Sequence, residues 1–546
     1  MRRRFGRSAS RPPLRLRSWE QSVFPQTVAR RFKSSFFHHG DTADTEIHRG
    51  IRFSVYLRVL RVSVVKTVFD FFLAQYLPEL RAGSCRYISQ KEVLLMRHYP
   101  RSAEILERNR HYIPGGVVSV NRATSPEIVF VKGEGAYLWD AEGNRYIDYH
   151  FAFAPHFLGH NDPHVTEAVR RVLDDGASLY GSGTTVLEGR LAELICQHVP
   201  SVESVQFLNS GSEASYQAIR LARAITGRDH VIVMQGGYNG WHNDVSCNLM
   251  TPLDQLGPRV SPGEYPYKPI SAGVPLDHQR LVHPVNFNDL ASVEHVCQKC
   301  PVAALITEPV LQNIGIVKPR PGYLEGLRRL ADRFGFLLIF DEVKTGFRHG
   351  LAGYAGIAGV KPDLAVYGKA VANGYPIAVL GGKKEWMDWV VHPEAGKRVL
   401  IAGTYNAHPV PTAAAIATIE RLLMNDGEVY RHVEALGGLM QEGLEQLVNR
   451  LGLKAVVARQ GSAFCVYFMS HCPWDWHDLA GNHDFGLDER MRRNLIERGV
   501  YYFPVATKQC SISFAHTRED VEVTLNHVSA ALQEAGSARG AGVQPV

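Results

Sequence analysis

Phe336-Leu337-Leu338-Ile339-Phe340-Asp341-Glu342 is an apolar run that ends abruptly on two acids. Such a run reads as a strand buried on both faces, the pattern of a parallel sheet covered by helices. A carboxylate at the carboxyl end of that strand stands where open α/β sheets bind ligands. Further along, Leu364-Ala365-Val366-Tyr367 is a second short apolar strand, and it ends on Gly368-Lys369. An acid and a lysine at neighbouring strand ends suit a pyridoxal phosphate site. The lysine forms a Schiff base with the cofactor aldehyde, and the acid pairs with the pyridinium nitrogen.

Four more segments support this reading. Ser204-Val205-Gln206-Phe207-Leu208 runs into Asn209-Ser210-Gly211-Ser212, and a helical pattern follows, with Ala214, Ala218, Leu221, Ala222 and Ile225 on one face and Gly227 as the stop. A glycine-serine turn opening a helix presents free N–H groups and the positive end of the helix dipole to a phosphate. Val231-Ile232-Val233-Met234 breaks at Gly236-Gly237 before Tyr238, an aromatic able to stack on a flat ring while the glycines allow close backbone approach. Val302-Ala303-Ala304-Leu305-Ile306-Thr307 is another buried strand, ending on Glu308-Pro309. The last segment is Ala402-Gly403-Thr404-Tyr405-Asn406-Ala407-His408-Pro409.

In this order the six segments resemble the class III aminotransferases, a family of fold-type I pyridoxal phosphate enzymes, and within it most closely the glutamate-1-semialdehyde 2,1-aminomutases. The likeness runs from about Arg101 to about Glu534 and includes Ile113-Pro114-Gly115-Gly116-Val117, Gly143-Asn144-Arg145-Tyr146-Ile147-Asp148 and Leu158-Gly159-His160. It implies an α/β fold with a large domain built on a mostly parallel sheet and a smaller C-terminal α/β domain. It also implies a homodimer with active sites at the subunit interface. By the same resemblance Lys369 is the Schiff-base lysine, Asp341 the partner of the ring nitrogen, and Val343 lies behind the ring. Gly211 and Ser212 hold the phosphate, Tyr238 covers the ring, Asn313 lies near the phenolic oxygen, and Thr404 reaches the phosphate from the partner subunit. Glu308 supports the site rather than taking part in the chemistry.

The substrate pocket departs from the aminomutase pattern. Ser119 and Arg122 occupy the places that bind the substrate carboxylate in the resemblance, and an arginine fork suits a carboxylate. Phe153 replaces a pocket tryptophan, Asn239 a histidine, and Lys508 a glutamate. A lysine would repel the cationic diamine that a mutase must retain, and would welcome an anion instead. The expectation is therefore an aminotransferase acting between an amino acid or other amine and a keto or aldehyde acceptor. The intramolecular aminomutase is the alternative. A non-catalytic binder on the same fold is disfavoured, since it would need neither Lys369 nor Asp341.

The chain has 546 residues, 45% hydrophobic and 21% charged, with a formal charge of +6 concentrated at its start. These are globular values, and the charge does not argue for nucleic-acid binding; the resemblance implies small-molecule substrates. Residues 1–95 form a basic extension, with ten cationic residues from Arg2 to Lys33 against the single acid Glu20. It reads as a transit-like segment, a basic interfacial helix or an over-long gene start. The apolar stretch 51–77 carries Arg52, Arg58, Arg61, Lys66 and Asp70, which argues against a spanning helix. The expected organisation continues with an N-terminal segment 96–157, the large domain 158–408, the small domain 409–534 and a disordered tail 535–546. Residues 251–285, rich in proline, are a candidate gate. Of the eight cysteines only Cys297 and Cys300 lie close together, without an evident histidine partner, so no metal is expected and reduced thiols in the cytoplasm are.

Overall fold

The computed structural model describes residues 97–537. The expectations for residues 1–95, and for the tail beyond Ser537, lie outside them. Three strands come first, β1 (Phe130–Glu134), β2 (Tyr137–Asp140) and β3 (Arg145–Asp148). Seven follow in the middle of the chain: β4 (Ser204–Leu208), β5 (His230–Met234), β6 (Val282–Val285), β7 (Val302–Thr307), β8 (Leu337–Asp341), β9 (Leu364–Tyr367) and β10 (Ala378–Gly382). The last four are β11 (Val456–Gln460), β12 (Ala463–Tyr467), β13 (Val500–Tyr501) and β14 (Cys510–Ser511).

The middle strands make one sheet in the order β4-β10-β9-β8-β7-β5-β6. The pairs β9/β8, β8/β7, β7/β5 and β5/β6 are parallel, and β10 alone runs antiparallel between β4 and β9. Every residue of β7 and β8 is buried, as the unbroken apolar runs predict. Their side chains alternate between two cores. Leu305, Leu338 and Phe340 pack toward the helices Leu290–Lys299 and Tyr323–Phe334, through Val293, Val296, Leu324 and Leu327. Ala304, Ile306, Leu337 and Ile339 pack toward the helix Gly211–Thr226, through Ala214, Ala218, Leu221 and Ala222. The sheet is thus covered on both faces, and only its strand ends are free to hold a ligand.

The helix Gly211–Thr226 begins and ends where its sequence directs. Ser210 and Glu213 form a reciprocal capping box at its start, and Gly227 ends it in the left-handed conformation at φ 65°. Two smaller sheets flank the large one. One joins β11, β12 and β14. The other has the order β1-β2-β3-β13, so the early segment and a strand from residues 500–501 share hydrogen bonds. The boundary expected at 535 is early, because Ala535–Ser537 complete the final helix, Arg518–Ser537.

Residues 251–285 are more structured than a proline-rich loop suggests. Their end is β6, the edge strand of the large sheet. Their start is pinned by the Trp476 indole N–H donating to the Thr251 carbonyl at 2.8 Å and by an ion pair between Arg259 and Asp475.

A buried ion pair shapes the loop that carries Lys508. Arg492 and Asp488 are 1% and 0% exposed, with Arg492 Nε 2.6 Å from Asp488 Oδ1. The guanidinium also donates to the carbonyls of Phe503 (3.1 Å) and Lys508 (2.9 Å), and Asp488 Oδ2 accepts from the Thr507 N–H at 2.6 Å. Burial pushes the Asp488 carboxyl up, but Arg492 and His483 outweigh it and hold the group below its usual range. Removing one partner leaves the other charge buried alone. Arg492→Met should lower stability by about 3–5 kcal/mol, read as a shift of the urea midpoint.

Candidate active site

At the carboxyl ends of the parallel strands lies a cavity of about 250 Å³. Asn209 to Ser212 follow β4, Tyr238 to Gly240 follow β5, Asp341 and Val343 end β8, and Lys369 follows β9. Gly374 to Ile377, which lead into β10, and Pro155 close it. Six residues expected to touch the cofactor therefore line one cavity: Gly211, Ser212, Tyr238, Asp341, Val343 and Lys369.

Asp341 is buried at 3% exposure. Its Oδ2 accepts from Asn239 Nδ2 at 2.9 Å and its Oδ1 from the Val343 N–H at 3.0 Å. Burial pushes its carboxyl up, while these two donors and the Lys369 ammonium pull it back. Asn239, read from sequence only as a departure, is thus the side chain that aims the acid. Lys369 sits at φ 47°, in the left-handed region that lysine rarely adopts. Burial lowers its proton affinity, against the raising effect of Asp341 and Glu308.

The opening of the helix Gly211–Thr226 offers free donors. Its capping box engages the Glu213 N–H, which leaves the Gly211 and Ser212 amides without intrahelical acceptors. A Cβ on Gly211 would lie 2.9 Å from Val343 Cγ2, so only glycine lets this turn pack against the residue behind the ring position. Glu308 stands below. Its Oε1 accepts from the Tyr238 N–H at 3.0 Å and its Oε2 from the Gln312 N–H at 2.9 Å, so it fixes both flanking loops. Burial pushes its carboxyl up to about 7, with Lys344 the main opposing influence.

Other expected residues lie apart from this cavity. Asn313 is on the loop that Glu308 supports, and its Nδ2 is buried without an acceptor. Lys508 Nζ lies 3.1 Å from the Asn313 carbonyl and 3.4 Å from its Oδ1. Phe153 belongs to a run of four non-glycine residues, Phe151 to Ala154, at φ 46°, 52°, 69° and 80°. Each such residue costs on the order of 1–3 kcal/mol, and Arg348, buried at 2% exposure, holds the run through the Ala154 carbonyl. Phe153 packs on His150 (4.3 Å between ring centres) and Phe503 (5.0 Å). Ser119 is partly buried and Arg122 exposed, and neither lines the cavity. Thr404 is exposed within a single chain.

Cys300 does have histidine neighbours, contrary to the sequence reading. His283 Nε2 lies 3.5 Å from its sulfur and 2.9 Å from His230 Nδ1, while His283 Nδ1 meets Glu264. These contacts form a hydrogen-bonded chain at the amino ends of β5 and β6, remote from the cavity.

A strand-end lysine, a buried acid steered by two donors and a helix start with free amides all fit pyridoxal phosphate. Together they define a fold-type I enzyme of that cofactor. The sequence model of the class III aminotransferases matches residues 118–532. Glutamate-1-semialdehyde 2,1-aminomutase from Syntrophomonas wolfei is 38% identical over 440 residues, covering 80% of this chain and 98% of that one. An omega-transaminase structure from Sphaerobacter thermophilus superposes with TM-score 0.73 at 29% identity, over 80% of this chain and 98% of its own. A glutamate-1-semialdehyde-aminomutase from Pseudomonas aeruginosa, in complex with PMP, gives 0.70 at 27% identity, over 80% and 95%. The chain belongs to the class III aminotransferases, and its cofactor is pyridoxal phosphate.

Proposed function

We propose that this enzyme moves an amino group within one small carboxylated substrate, as a glutamate-1-semialdehyde 2,1-aminomutase. The observation that carries this reading is the likeness to aminomutases over nearly their whole length, 38% identical across 98% of one of them. This reverses the preference drawn from Lys508 in the sequence. In the fold that lysine meets Asn313 and Met250, both neutral acceptors, and no carboxylate among the described residues.

Bound pyridoxal phosphate supplies an electron-poor ring that accepts the electron pair left on a substrate carbon. Lys369 Nζ would hold the cofactor covalently until the incoming amine displaces it. The freed amine would then act as general base at the substrate carbon that loses nitrogen and as general acid at the carbon that gains it. Burial favours the neutral base it must be for that step. Asp341, kept in place by Asn239 and the Val343 N–H, holds negative charge against the ring nitrogen. Gly211 and Ser212 amides take the phosphate, and Tyr238 packs over the ring.

A homodimer fits the surface beside the cavity. Trp241 and Tyr405 are 66% and 62% exposed, and a cleft of about 540 Å³ lined by Ser212, Trp241, Gly403 and Asn406 opens there. A second copy would cover these aromatics and bring its own Thr404 to the phosphate. A cytoplasmic setting fits the seven described cysteines, none of which is bridged. Among the described residues no helix is long and apolar enough to cross a membrane.

The second reading, transfer between two substrates, is favoured by Lys508 standing where the aminomutase has an acid. The test is incubation of the loaded enzyme with glutamate-1-semialdehyde alone. Formation of 5-aminolevulinate without any keto acid supports the mutase. Turnover only with separate donor and acceptor, in two half-reactions, supports the aminotransferase.

A further inference from the structure

Lys344, which the sequence reading passed over, lies three residues beyond Asp341 and is drawn inward with Lys508. Lys344 Nζ donates to the Gln312 carbonyl at 2.9 Å, and Lys508 Nζ to the adjoining Asn313 carbonyl at 3.1 Å. The remaining neighbour of Lys508 Nζ within reach, Met250 Sδ at 3.2 Å, is a weak acceptor. Neither ammonium forms an ion pair among the described residues; each meets only neutral acceptors.

The charges around them do not balance. Lys369, Lys344, Lys508 and Arg348 face Asp341 and Glu308. Of the carboxylates, Glu308 is the one that opposes both Lys344 and Lys508. Burial lowers both ammoniums, Lys344 to about 7 and Lys508 to about 8, with Glu308 opposing the fall. Lys369 and Lys508 depress Lys344 further, so the two cations sense one another. His150 also senses both, and its ring stacks on Phe503 at 4.5 Å and meets Phe153 at 4.3 Å, forming an apolar wall beside the pair. Part-buried cations that outnumber the carboxylates beside them are costly, and an arriving anion relieves that cost.

We propose that Lys344 and Lys508 form a subsite for an acidic group of the substrate, an oxyanion such as a carboxylate or a phosphonate, lying away from the reacting amine. The proposal rests on the amino-transfer reading of this site and adds the residues that would hold the substrate's acid.

The test uses the full chain loaded with cofactor and ligands that carry no amine, so no turnover is required. Glutarate and glutaramate differ only in that one carboxylate is replaced by a neutral amide. Their affinities are measured by calorimetry for the unaltered enzyme, Lys344→Met, Lys508→Gln and Lys508→Arg. The unaltered enzyme should favour glutarate about tenfold, the scale of one charge-assisted hydrogen bond. That preference should fall to near parity in Lys344→Met and Lys508→Gln and persist in Lys508→Arg, which keeps the charge. The absorbance of the linked cofactor reports intact folding in each variant. Binding of 4-phosphonobutyrate tighter than glutarate assigns a tetrahedral oxyanion, and weaker binding a carboxylate. No preference in the unaltered enzyme, or a preference that survives in both charge-removing variants, overturns the subsite. Because only binding is read, loss of the mutase assignment would leave this result standing, and the converse also holds.

Discussion

Lys369→Ala should abolish the covalent cofactor link and slow amino transfer by at least about 10⁴-fold, the upper range for a positioned acid–base group. Two roles are lost together, since the same nitrogen anchors the cofactor and carries the proton. Borohydride reduction followed by peptide mapping should label Lys369 in the unaltered protein and nothing in the variant. A label on Lys344 instead would be the informative failure. That lysine is also part-buried with a lowered proton affinity, and the Lys369 charge contributes to that lowering. The left-handed backbone at Lys369 favours the assignment to Lys369, because strain at φ 47° is retained where it aims a working side chain.

Asp341→Asn should keep cofactor binding but slow the chemical step by about a hundred- to a thousand-fold, the usual scale for removing one preorganised electrostatic partner. An amide cannot hold the ring nitrogen protonated. It would also disturb the network, since the new amide N–H₂ would face either Asn239 Nδ2 or the Val343 N–H, both donors. Single-turnover absorbance with a good amine substrate measures the rate. Near-unaltered rates would remove Asp341 from the electron-sink role.

The six motifs were readable because each is local. An apolar run ending on Asp341, or a glycine-serine turn opening a helix at Ser210, carries its meaning within ten or so residues. Strand burial, the capping box and the Gly227 stop follow from short-range pattern and sterics, and the fold agrees with them. The residues the sequence left ambiguous are those whose role depends on a distant partner. Asn239 looked like a lost histidine until the fold set it against Asp341, and Lys508 looked like a lone pocket charge until it met Asn313 and Met250.

The sequence by itself determined the α/β class, the covered parallel sheet and the cofactor, because periodicity and strand-end chemistry are written in consecutive residues. Only the tertiary structure decided that β13 joins the sheet of β1 to β3, that Arg492 braces the Lys508 loop, and that Lys344 and Lys508 reach adjoining carbonyls. The physical reason is that a buried charge has no fixed meaning alone. Its proton affinity and its use are set by whichever groups packing brings within a few ångströms in a medium with little water to screen them.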